Sequence, residues 1–98
     1  MTTVHLSGII NHQTSTKARG QLLAELRHED ALHIDLSDVT RIDSSGLAIL
    51  VEVYQFARKV GCEVRLINVS DNVRKRICLA HLEGVFALRD DNEDRTIH

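Results

Sequence analysis

Apolar positions recur along this chain with two alternating periods. Val4 and Leu6, with Ile9 and Ile10 beyond them, predict a first strand in which Gly8 makes a bend or bulge. Thr14, Ser15 and Thr16 offer N-cap hydroxyls to a helix whose stripe is Ala18, Leu22 and Leu26, joined by Leu23. Gly20 weakens that helix by about 1 kcal/mol relative to alanine, which the stripe outweighs. Leu32, Ile34 and Leu36 then alternate with Ala31, His33 and Asp35, the period of a strand; Ser37-Asp38 reads as a turn, and Val39 to Ile42 as a short extended piece. A second helix is predicted from about Ser45 to Val60, so apolar in its first turns that it should be the most buried of the helices. Gly61 suits a left-handed cap, and Arg58 and Lys59 suit the negative end of that helix. Val64, Leu66 and Ile67 predict a third main strand. Ser70 or Asp71 would cap a third helix carrying Val73, Ile77 and Ala80, widened by Leu79 and Leu82 and ended by Gly84. Val85 to Leu88 reads as a last strand. From Arg89 the chain is polar and holds Asp90, Asp91, Glu93 and Asp94, which predicts a loose tail.

Strands alternating with helices imply right-handed crossovers and an α/β fold. The expectation is one small domain over residues 1–88 with a polar tail at 89–98. Its architecture is expected to be a mixed sheet of about four strands with three helices mainly on one face. Ninety-eight residues suffice for one modest core. With no Pro or Trp and 3% aromatics, that core should be built from Leu, Ile, Val and Ala. Cys62 and Cys78 have no second pair nearby, so they read as buried or half-buried packing residues of a reducing compartment. The formal net charge of -2 and the scattered basic residues give no reason to expect nucleic acid. The N-terminus lacks a signal-peptide pattern, and the run from Leu47 to Val51 is too short to span a bilayer, so a cytoplasmic protein without membrane insertion is expected.

Candidate chemistry concentrates where the second strand runs into the second helix, at Asp43-Ser44-Ser45-Gly46. Free N–H groups in a helix's first turn, and its dipole, favour negative charge there. Asp43 or Ser44 can cap the helix, and Gly46 would let another chain approach the backbone closely. A phosphate on a serine here, carrying about -1.5 to -2 charges, would be tolerated by the helix end while repelling an acidic or apolar partner. On spacing alone, capping is the simpler reading of such a string.

The longer stretch resembles the STAS family, the small domains of anti-sigma factor antagonists. The resemblance rests on Asp35-Leu36-Ser37 and Asp43-Ser44-Ser45-Gly46-Leu47 before an apolar helix, and continues through Ala57 to Gly61 and Val64 to Val69. It implies that Ser44 is a phosphorylation site and that Asp43, Ser44, Ser45, Gly46 and Leu47 form the partner-binding turn. The implied partner is an anti-sigma factor that is itself a serine kinase using ATP, with a phosphatase to reverse the modification. The chain would then be a substrate and binding module with no cofactor, not an enzyme. Two departures stand out: Asn11 replaces the acidic residue often found in a Gly-x-x-Asp pattern, and the chain starts almost at the first strand. Leu47-Ala48-Ile49-Leu50 and Val69-Ser70-Asp71-Asn72-Val73 are also similar to MlaB-type STAS subunits, which accompany the ATPase of phospholipid-transport ABC systems. That similarity implies a permanent docking face at the same turn.

Other chemistries lack support. His28 and His33 are five apart across a helix-to-strand junction, not four apart on one helix face, so no metal site is expected. The serines lack the Gly-x-Ser-x-Gly context of a hydrolase, and no glycine-rich nucleotide loop is present. Arg74, Lys75 and Arg76 read as a solvated face or as a contact for an acidic partner.

Overall fold

The computed structural model describes residues 2–82 and 84–86. The element order is β1 (Thr2–Ile10), α1 (Ser15–Leu26), β2 (Ala31–Ile42), α2 (Ser44–Val60), β3 (Glu63–Ile67) and α3 (Asp71–Leu79). The strands form one sheet in the order β1-β2-β3, and both pairings are parallel. Among the described residues the sheet therefore has three parallel strands, not about four in a mixed arrangement. The expected last strand fails because residues 84–86 form a turn; Ala87, Leu88 and the expected tail lie outside the described residues.

Register explains the core. Val4, Ile34 and Leu66 lie in one row across the sheet, with Leu32 beside Val64 two residues back on the same face. All five are buried, whereas the neighbouring row of Thr3, His33 and Arg65 is polar. Crossovers between sequential parallel strands, with the usual right-handed sense, put both helices on one face, and α1 does pack on α2. Leu22 and Leu26 of α1, Leu50 and Val53 of α2, and Val73 and Ile77 of α3 join the strands in one cluster.

Strand β2 is longer than its alternation predicts. Ser37-Asp38 is not a turn: the strand continues through it to Ile42. Two register shifts against β1, between His5 and Ser7 and between Gly8 and Ile9, each insert an extra residue into β2. Each extra residue changes which side chains face inward. The buried apolar positions therefore run Leu32, Ile34, Leu36 and then Val39 and Ile42, spaced two apart and then three.

Helix ends differ from expectation in two places. Thr14 makes no side-chain cap bond; the Asn11 carboxamide oxygen instead accepts the N–H groups of Gln13 (2.8 Å) and Thr14 (3.1 Å). Helix α3 ends at Leu79, well before Gly84, and its Leu79 is 68% exposed. Leu82 half-buries itself against the core beyond the helix end. Cys78 is exposed, unlike the buried Cys62, whose thiol burial pushes up in pKa. The Gly61 cap does form, at φ 78°.

Of the described glycines, Gly46 at the start of α2 is the one with no room for a Cβ. A Cβ on Gly46 would stand 2.6 Å from Ile42 Cγ1, 2.8 Å from the Ile10 carbonyl oxygen and 2.9 Å from Ile10 Cγ2. The close approach that Gly46 permits is therefore made by this chain's own β1, not by a second chain. Gly20, also helical, has open space where its Cβ would be. Gly46→Ala is expected to destabilise the fold by about 1–3 kcal/mol through overpacking, while Gly20→Ala stabilises it by about 0.5–1 kcal/mol. Urea unfolding of the two variants beside the parent checks both signs.

Candidate functional site

Strand β2 delivers the chain to Asp43, which is still extended and caps α2, the helix beginning at Ser44. The Asp43 N–H donates to the Ile10 carbonyl at 3.1 Å, so the end of β1 fixes where the helix begins. The Asp43 carboxylate accepts the Gly46 N–H at 3.1 Å, satisfying one free donor of the first turn. Ser44 is the first helical residue and is exposed; Ser45 is half-buried; Gly46 and Leu47 are buried. Among the described residues the Ser44 hydroxyl makes no hydrogen bond. Of the five residues of the turn, Asp43, Ser44 and Ser45 present surface, while Gly46 and Leu47 hold it from beneath.

The second half of β2 has lost its neighbour on one side, because β3 pairs only with Ala31 to Asp35. Side chains of α3 take over. Asn72 Nδ2 donates to the Thr40 carbonyl and Arg76 Nε to the Ile42 carbonyl, both at 3.2 Å. These bonds draw the basic side of α3 to the Asp43 turn. Between them lies a cleft of about 490 Å³, lined by residues from the ends of β1 and β2 and from α3, among them Asp43, Arg41, Lys75 and Arg76. Arg74 of the same basic run lies outside this lining and is half-buried. Asn11, the departure from the acidic pattern, also borders the cleft; a carboxylate there could accept the same two N–H bonds.

Sequence reasoning gave Asp35 no role. Its carboxylate accepts the Ser37 N–H at 2.9 Å, at the register shift in β2, and the Asn68 amide at 3.3 Å, with His5 Nδ1 at 3.5 Å. Hydrogen bonds from Ser37 hold this carboxyl below the usual carboxylate range; Asn68 and the His5 charge add to the effect, and desolvation opposes it. Asp35 is only 8% exposed. A signal was available: an acid at an outward strand position, two residues before a serine, is the pattern of a side chain that bonds its own backbone. The aromatic pair Tyr54 and Phe86 was missed as well. Their ring centroids are 4.9 Å apart, edge to face, and burial pushes the Tyr54 hydroxyl up to about 12. Phe86 thereby fastens the residues after α3 onto α2.

The family model described as "Mlab, STAS domain" matches residues 1–90. An anti-sigma F factor antagonist from Paenibacillus polymyxa is 28% identical over 90 residues, covering 90% of this chain and 77% of that one. The intermembrane phospholipid transport system binding protein MlaB of Escherichia coli K12 is 48% identical over 40 residues, 41% of each chain. Among solved structures, an anti-sigma factor antagonist from Mycobacterium paratuberculosis superposes with a TM-score of 0.76 at 30% identity, covering 94% of this chain and 79% of that one. Unphosphorylated SpoIIAA, at 18% identity and a TM-score of 0.73, covers 96% and 84% and shares the fold.

Because the Asp35 carboxyl is held low in the folded protein, its bonds contribute fully above the ordinary carboxylate range. That contribution is lost as pH falls through the lowered folded value. Asp35→Asn should therefore reduce stability at neutral pH and flatten the acid limb of the stability profile. Thermal melts between neutral pH and pH of about 3 check this; an unchanged acid limb would remove Asp35 from the account.

Proposed function

The chain belongs to the STAS domain family, and from that premise we propose that it is a partner-switching regulator of the anti-sigma factor antagonist kind, gated by phosphorylation of Ser44. One observation carries the reading: Ser44 is the single exposed residue in the first turn from Ser44 to Leu47, unbonded within the described residues, above a helix start that the fold holds rigidly. A kinase can reach this hydroxyl without unfolding anything. The phosphate would sit at the positive end of α2, where its charge is accommodated. It would also stand beside the Asp43 carboxylate and turn the exposed surface strongly negative.

In this reading the unphosphorylated turn, with Asp43, Ser44 and Ser45 outward, binds an anti-sigma factor that is itself a serine kinase. Phosphate transfer from ATP to the Ser44 hydroxyl releases it, and a phosphatase restores binding. The chain supplies the accepting hydroxyl and no catalytic group or cofactor. Its compartment is the cytoplasm, where kinase and ATP meet; among the described residues no helix is long and apolar enough to cross a membrane. The relatives called anti-sigma factor antagonists support this choice.

A second reading is favoured by the 48% identity to MlaB over 40 residues. The same turn would then dock permanently on the ATPase of a phospholipid-transport ABC system. The two readings part on phosphate. Incubated with the host's anti-sigma kinase and ATP, the parent chain should gain the mass of one phosphate and Ser44→Ala none. Ser44→Asp should weaken kinase binding by about tenfold or more. Full phosphorylation of Ser44→Ala sinks the site assignment. Co-purification with an ABC ATPase, unaffected by Ser44→Asp, establishes the second reading instead.

A further inference from the structure

We infer that the cleft between the ends of β1 and β2 and helix α3 is the docking groove for the partner, and that it takes an acidic protein segment carrying apolar anchors. The inference deepens the partner-binding reading above and rests on it.

Two kinds of surface meet in this cleft. Ile9, 47% exposed, and Leu79, 68% exposed, both line it. They are two of the four large hydrophobic residues exposed among those described, the others being Val60 and Val85. A single exposed leucine needs no explanation, but two apolar side chains on one concavity with a charged rim have the anatomy of a contact surface. That rim is basic. Arg41, Lys75 and Arg76 face the one lining carboxylate, Asp43, whose charge is partly spent on the Gly46 N–H. The whole chain carries a formal net charge of -2, so this local excess of cations runs against the molecule's balance. Arg76 is pre-positioned as well, since its Nε is fixed to the Ile42 carbonyl and its terminal N–H groups remain for a carboxylate. Apolar anchors between carboxylates complement such a groove.

The location supplies regulation. Ser44 lies outside the lining but directly follows the lining residue Asp43, so a phosphate there would bring about -1.5 to -2 charges next to the groove. It would compete with the partner's carboxylates for the same three cations. Release on phosphorylation then follows from charge, with no change of fold.

The test uses the full isotope-labelled chain and a synthetic acidic peptide, glutamate-rich with two leucines spaced one helical turn apart. Backbone amide shifts should concentrate at Ile9, Arg41 to Asp43, and Asn72 to Leu79. The double reversal Arg41→Glu with Lys75→Glu should weaken binding by about tenfold or more, and Leu79→Ser should weaken it too. All three positions are exposed, and an unchanged amide spectrum elsewhere shows that the variants fold. Absence of shifts, equal binding of a peptide with serines for leucines, or equal binding of a lysine-for-glutamate peptide overturns the proposal. Equally tight binding of phosphatidylglycerol vesicles at the same residues makes the groove a lipid site and also overturns it. Binding that appears only after neutralising Asp90, Asp91, Glu93 and Asp94 assigns the groove to the chain's own acids, against a partner. Phosphorylation of Ser44 is scored separately by mass. A chain that accepts phosphate but ignores the peptide keeps the switch and loses the groove; the converse keeps the groove and loses the switch.

Discussion

The start of α2 lies against the end of β1 with no space for a side chain between them. Gly46 meets the Ile10 carbonyl and the Ile42 side chain, and the Asp43 N–H closes on that same carbonyl. This contact fixes the helix in position and direction, and the exposed serine owes its place to it. Were the helix a few ångströms higher, Ser44 would stand on a loose loop and the cleft beside it would lose a wall. A helix N-terminus is a favourable site for added negative charge only where the first turn holds its geometry. Here the holding is done by sterics below and by the Asp43 cap above.

That contact in turn requires β2 to arrive at the right height. Simple alternation from Leu32 would turn the wrong face inward by Val39, and the two extra residues in β2 correct it. Asp35 pins the first of these irregularities by accepting the Ser37 N–H, so the Asp-Leu-Ser stretch has a local physical reason beside any family resemblance. Beyond Asp35, β2 runs without β3 beside it, and its carbonyls at Thr40 and Ile42 are met by Asn72 and Arg76. Polar side chains of α3 thus serve as a substitute strand edge. The same substitution carries basic charge to the turn.

Much of this was legible in the residues. Period-two and period-four apolar patterns located the three strands and three helices that form, and the Asp43, Ser70 and Gly61 caps follow from ordinary capping chemistry. What misled was also physical. Ser37-Asp38 has the composition of a turn, but a bulge needs the same residues, and periodicity cannot tell an ended strand from one that slips register. Val85 and Phe86 look like strand residues because an apolar pair is short enough to suit either fate; Phe86 instead packs on Tyr54. The serine turn stands out by its own string, which on spacing alone reads as a cap; its reading as a site comes from the STAS resemblance. The cleft was invisible, because Ile9, Arg41, Lys75 and Leu79 become neighbours only through the crossover topology.

Burial divides the labour within the turn. Gly46 and Leu47 are constrained by their neighbours and have no freedom to contact a partner directly, whereas Ser44 touches little and is free to change chemically. A modification at Ser44 can therefore alter the surface without drawing on the stability of the core. In the proposed reading the converse also holds: substitutions at Gly46 or Asp35 would act on binding only by moving the platform. Separating a fixed base from an exposed serine would let one small domain carry either a reversible contact or a permanent one. The choice between them is then set by the groups that meet the tip, since the fold beneath is the same in both cases.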